Sequence, residues 1–178
     1  LIEAIWRHKP EILVISCDSE SSSIFLQDEE GRAQPLSTVR LVGLFQSCTR
    51  LKYLFLNACN TDTLGRATVE AMPHVQVICW GSKVDTYAAK AFAEGVFDTI
   101  VDQEASFADA YAAGIASFTR DNFAFGDPMP EMGCHGVVRF VTVQTIAAER
   151  KAAKHGAVAA AAAAATAEKC VAKAWAVV

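Results

Sequence analysis

No GxGxxG, GxxxxGKS or GxxxxGKT follows any apolar run of this 178-residue sequence, so the glycine-rich loops that cradle nucleotide phosphates are missing from it. CxxC spacing is missing too. A pair such as Cys134 and His135 finds no second pair of ligands at zinc spacing, so neither a metal site nor any other cofactor is expected. There is no basic cluster: the formal charge is −4 and the isoelectric point near 5.5, which argues against a nucleic-acid partner or an anionic membrane surface. The longest apolar stretch, AVAAAAAAATA, is alanine and not leucine or valine, so no membrane span is expected. No charged start followed by an apolar core opens the chain. The six cysteines (17, 48, 59, 79, 134 and 170) are scattered through a chain large enough to stand without staples. Free thiols and an intracellular, cytoplasmic setting are therefore expected.

What is present is the balance of a globular domain, 52% hydrophobic and 20% charged. Residues 1 to 8 have helical apolar spacing, and EILVIS is a continuous apolar run, the signature of a strand covered on both faces. SIFLQDEEGRAQPL predicts a hairpin turning at Glu29, Glu30 and Gly31, and Ser37 is placed to cap a helix with Val39, Leu41, Val42, Leu44 and Phe45 on its apolar face. LKYLFLN then reads as a strand, Thr63 to Met72 as a helix and VQVICW as a second buried strand. Two further helices follow, DTYAAKAFAEGVFDTIV and SFADAYAAGIASFT. This alternation predicts an α/β fold, a mostly parallel sheet with helices on both faces. The loop DNFAFGDPMPEMGCHG precedes a last strand, VVRFVTVQT. From residue 146 alanine dominates; it favours helix but buries little area, so 1–145 is read as the domain and 146–178 as an Ala-rich helical tail.

The strand tips at Ser16, Asn57 and Trp80 are expected on one edge, where open α/β sheets place their chemistry. There RLKYLFLNACNTDTLG carries an apolar run straight into a cysteine, Cys59. A thiolate at such a tip, facing the start of a helix and the main-chain N–H groups of NTDTLG, is placed for attack on a carbonyl.

LFLNAC at a strand end, VICWGSKVDTYAAKAFAEGVFDTI after it, SFADAYAAGIASF and FAFGDP resemble, in that order, the CHAT domain (caspase HetF associated with tetratricopeptide repeats) of the caspase-like cysteine peptidases. The resemblance spans roughly residues 1 to 143. It implies a caspase-like sheet whose first strand would lie before Leu1, with Cys59 as the nucleophile. It further implies that Trp80, Gly81 and Ser82 line the substrate groove and that Asp85 meets a basic substrate side chain, although Asp is also a favoured helix cap.

The family writes its catalytic base as a histidine at the tip of the preceding strand. Here CDSESSS follows EILVIS, and Asp18 stands at the histidine position. Moving a proton from a thiol of pKa about 8.5 to a carboxylate of about 3.9 is uphill by about 6 kcal/mol. His135, followed by Gly136, is the alternative base; it comes after the last helix, against the family order. Two functions follow from the resemblance. One is a degenerate peptidase acting as a binding or regulatory module for a protein or peptide, or for other domains of a longer protein. The other is an active cysteine endopeptidase using Cys59 and a base recruited from elsewhere. Without the resemblance, the chain reads as a doubly wound domain holding a small ligand at its strand tips.

Overall fold

The computed structural model of the chain describes residues 2–20, 23–28, 30–101, 105–121, 123–124 and 136–156. In chain order its elements are α1 (Ile2–His8), β1 (Ile12–Ser16), β2 (Ser19–Glu20), β3 (Ser23–Gln27), β4 (Ala33–Ser37), α2 (Thr38–Gln46), β5 (Tyr53–Asn57), α3 (Asp62–Ala71), β6 (Gln76–Trp80), α4 (Thr86–Ile100), α5 (Phe107–Arg120) and β7 (Val138–Val141). The chain divides into two compact units, Leu1–Val143 and Gln144–Val178. In the second, residues 144–156 are helical, and 157–178, most of the expected alanine tail, lie outside the described residues.

The first unit is a mixed α/β body. Its main sheet runs β1-β5-β6-β7, with β1, β5 and β6 parallel and β7 antiparallel to β6. Leu54, Phe55 and Leu56 of β5 and Val77, Ile78, Cys79 and Trp80 of β6 are all buried, as central strands with both faces covered require. Alternation sends Phe55, Ile78 and Trp80 into one core with Ala88, Phe92 and Val96 of α4 and Phe107, Ala110 and Phe118 of α5. The other face takes α3, where Gly65 lies so close to Val77 and Cys79 that an added Cβ would stand 2.9 Å from the Cys79 sulfur. Each fully buried Phe, Leu or Ile contributes about 1.5–3 kcal/mol, so this two-sided burial is what holds the sheet.

Several sequence expectations need correction. EILVIS does not form a strand covered on both faces: Ile12 is 37% exposed and Leu13 and Val14 are half-buried, because among the described residues β1 pairs only with β5. The last strand is shorter than VVRFVTVQT; β7 ends at Val141 and residues 143–156 are already helical. On α2 the core takes Leu41 and Phe45 but leaves Val39 81% exposed, and Ser37 occupies the cap position with no side-chain bond to the helix. The predicted hairpin forms as β3–β4 and recruits β2, giving a second, antiparallel sheet. Asp28 closes its turn by accepting the N–H groups of Glu30 and Arg32, which with the other bonds to its carboxylate lower its pKa, and Gly31 supplies the φ of +77°. No described helix is long and apolar enough to cross a membrane.

Two glycines in helices have opposite surroundings. An added Cβ at Gly95 would lie 2.5 Å from the Ala113 carbonyl oxygen on α5, whereas at Gly43 it meets nothing within 4 Å. Urea unfolding should therefore show Gly95→Ala destabilised by about 1–3 kcal/mol and Gly43→Ala stabilised by about 0.5–1 kcal/mol.

Candidate functional site

Parallel pairing fixes the edge on which the loops meet. Ser16 lies opposite Asn57 in the β1–β5 register, and Leu56 opposite Cys79 in the β5–β6 register, so the segments after Ser16, Asn57 and Trp80 leave from one carboxyl edge. Between them and α4 opens a cavity of about 580 Å³, lined among others by Cys17, Asp18, Ser19, Asn57, Cys59 and Lys90. That volume is within the usual range of small-molecule and peptide-side-chain pockets.

Cys59 is two residues beyond the end of β5, on a turn. Asn60 makes that turn by taking φ to +51°, a left-handed conformation that Asn tolerates better than most residues. The half-buried thiol accepts the Val84 main-chain N–H, 3.4 Å from its sulfur. The other N–H groups of the turn are differently employed from the sequence expectation: Asn60 donates to the Ser82 carbonyl (2.9 Å) and Thr61 to the Trp80 carbonyl (2.7 Å). These two donors of NTDTLG therefore bind the turn to the end of β6, and the donor that reaches the sulfur comes from the loop before α4. Thr61, 2% exposed, completes the join: its hydroxyl donates to the Ala58 carbonyl (2.9 Å) and accepts the Trp80 N–H (3.2 Å).

The loop carrying Asp18 is held from two directions. The Asp18 carbonyl accepts the Phe25 N–H (2.9 Å), and the Ser19 hydroxyl donates to the Cys59 carbonyl. Asp18 is exposed at the cavity, in the same depression as Cys59. Cys17, between Asp18 and β1, is half-buried; burial, together with the Asp18 charge, raises its pKa. A second, smaller cavity of about 340 Å³ lies between this loop and the hairpin and shares Ser16, Cys17 and Asp18 with the first.

The remaining candidates take other places. Trp80 is 0% exposed in the core, its indole N–H donated to the Asn57 side-chain oxygen at 3.0 Å. Gly81 is bonded to Val137 and packed against Arg139, and the Ser82 hydroxyl donates to the Lys83 carbonyl and accepts the Val137 N–H. Asp85 caps α4, accepting the N–H groups of Tyr87 (2.9 Å) and Ala88 (3.1 Å). None of these four lines the cavity that holds Cys59. His135 and Cys134 lie outside the described residues. Cys17, Cys48, Cys59 and Cys79 are free thiols, and burial pushes the Cys79 pKa up to about 12, with the Asp62 charge adding to it. Among the described residues no group of three or more His, Cys, Asp or Glu is arranged to hold a metal ion.

Sequence reasoning missed Lys90, Thr86 and Val84, which face Cys59 from α4 and the loop before it. Their only signal was distance from Asp85: Thr86 and Lys90 begin the helix that packs beside the β5 tip. Thr61 was missed because nothing in a sequence marks a threonine as a bridge between two strand ends. Neither a protein-family model nor a curated protein matches this sequence.

Thr61→Val keeps the shape and removes the hydroxyl, leaving the Trp80 N–H and the Ala58 carbonyl short of a partner. It should cost about 1–3 kcal/mol, read as a lower urea midpoint at unchanged slope, and should speed alkylation of Cys59 in the folded protein by loosening its turn.

Proposed function

We propose that the first unit is a caspase-like domain of the CHAT kind that keeps the nucleophile position, Cys59, but has Asp18 in place of the base histidine. It works as a binding or regulatory module for a protein or peptide instead of cutting one. The observation that carries this reading is that Cys59 and Asp18 line one cavity at the carboxyl ends of neighbouring parallel strands, with no histidine among its described lining residues. A histidine there would take the thiol proton and hold positive charge beside the sulfur; an aspartate does neither, and its negative charge opposes a thiolate. The Asn60 and Thr61 N–H groups, bonded to Ser82 and Trp80, are two donors that the turn does not offer to an oxyanion. With a carboxylate at its mouth and Lys90 on the facing helix, the cleft offers a peptide one partner of each sign.

The competing reading is an active cysteine endopeptidase that recruits another base, His135 first. One feature favours it: the Val84 N–H is directed at the Cys59 sulfur, although that thiol also donates to the Val84 carbonyl at 3.9 Å.

Alkylation of Cys59 by iodoacetamide, followed by peptide mass analysis across pH 5 to 10 (a span of about five units around the thiol's ordinary pKa of about 8.5), separates the two. The native protein should alkylate at Cys59 only on the alkaline side, and Asp18→His should raise the rate near neutrality by about tenfold, as an imidazolium beside a thiol does. Fast neutral alkylation of the native protein, lost in His135→Ala, would reject the binding-module reading in favour of the endopeptidase.

A further inference from the structure

The loop that carries Asp18 and Ser19 is bonded on two sides, and the two sets of bonds lie in series. On one side it belongs to the small sheet: the Phe25 N–H donates to the Asp18 carbonyl (2.9 Å), and Ser19 stands opposite Ile24 in the β2–β3 register. On the other, the Ser19 hydroxyl donates to the Cys59 carbonyl. The hydrogen-bonded path from the hairpin to the main chain of Cys59 thus runs through Ser19.

Its two ends are held with unequal strength. The turn at Cys59 is tied to the end of β6 through Asn60 and Thr61, and β5 and β6 are filled with buried apolar side chains. In β2, β3 and β4, among the described side chains, Ile24 alone is buried, and β4 exposes Ala33, Gln34, Pro35 and Ser37. One carboxylate closes the hairpin turn. Asp28 accepts the Glu30 and Arg32 N–H groups (3.1 and 2.8 Å), the Arg32 guanidinium (2.9 Å) and the Gln34 side-chain amide (3.0 Å). A segment with so little buried apolar surface opens before the body it rests on.

We propose that the β3–β4 hairpin is a conformational regulator of Cys59, with Ser19 as the positioning residue that transmits its state. Closed, the hairpin holds the loop by the Asp18 carbonyl, and Ser19 holds the Cys59 turn. Open, it releases both, and the thiol becomes more accessible on a looser turn. Both ends then bias one two-state element, as coupling between separate sites requires. The coupling asks nothing of the chemistry at the sulfur, so it stands whether Cys59 lines a binding cleft or attacks a carbonyl. It also gives the wall shared by the two cavities a role: Ser16, Cys17 and Asp18 line both, so opening the smaller one on the hairpin side reshapes the larger.

Iodoacetamide labelling of Cys59 in the full chain, with hydrogen exchange of the β3 and β4 amides read in parallel, tests the path. Asp28→Ala removes the closure of the turn. It should speed amide exchange in the hairpin and raise the Cys59 labelling rate several-fold, while Cys48 and Cys79, both buried, stay unlabelled. Ser19→Ala should raise the rate by itself, and Ser19→Thr, which keeps the hydroxyl, should not. Asp28→Ala added to Ser19→Ala should then add little, because the link is already cut. Faster exchange in Asp28→Ala with an unchanged Cys59 rate would overturn the proposal, as would rate increases that multiply in the double variant. Where Asp28→Ala unfolds the chain or leaves the hairpin closed, the unsubstituted protein supplies the reverse reading. Its Phe25 amide should exchange several-fold faster once Cys59 is carboxamidomethylated, and this gain should vanish in Ser19→Ala; no change on alkylation counts against the coupling.

Discussion

The parallel pairing of β5 with β1 on one side and β6 on the other decides, residue by residue, which loops can meet at the cleft. Ser16 opposite Asn57 and Leu56 opposite Cys79 send three loops off one edge, and the turn that holds Cys59 leaves from the strand in the middle. A slip of one residue along either ladder would turn Phe55, Ile78 and Trp80 away from α4 and α5 and bring their neighbours onto the wrong face. The register is thus specified by burial, and the position of the thiol follows from the same apolar side chains that stabilise the sheet.

Several polar groups near the sulfur are engaged within the protein. Asn60 and Thr61 give their N–H groups to the end of β6, Thr61 bridges Ala58 and Trp80 with its hydroxyl, and Asn57 receives the Trp80 indole. Such a network fixes the turn at Cys59 tightly, since each bond satisfies a group that burial would otherwise leave without a partner. The amides of Asn60 and Thr61 are thereby spent on rigidity at the β5 tip. The donor left to the sulfur comes from Val84, on the loop before α4, so the chemistry of Cys59 depends on how α4 is anchored through its Asp85 cap as well as on β5.

Much of this was readable along the chain, for identifiable reasons. The continuous apolar runs of β5 and β6 announced central strands because a residue buried on either face must be apolar, and Asp85 announced a helix start because it caps by its own side chain. EILVIS read the same way as β5, yet among the described residues β1 has a neighbour on one side only, since a short apolar run carries no record of how many neighbours it will have. VVRFVTVQT was read as strand beyond Val141 because β-branched residues fill it, but residues 143–156 are helical, and propensity gave way to context. At the site, Cys59 and Asp18 were legible from strand ends, whereas the burial of Trp80, the bridge at Thr61 and the presence of Lys90 arise only when β6 and α4 are laid beside β5.

The small sheet lines the smaller cavity and anchors the loop at the edge of the larger one. Phe25 donates its N–H to the Asp18 carbonyl, and β2, which begins at Ser19, pairs with β3, so the loop from Cys17 to Ser19 is bonded to the hairpin on one side and to the Cys59 turn on the other. Ser16, Cys17 and Asp18 consequently belong to both cavities. This fastening holds Cys17 and Asp18 at the edge of the space that Cys59 also lines. The loop is therefore fixed through the Asp18 carbonyl and the Ser19 hydroxyl, so its course does not depend on the carboxylate that it carries.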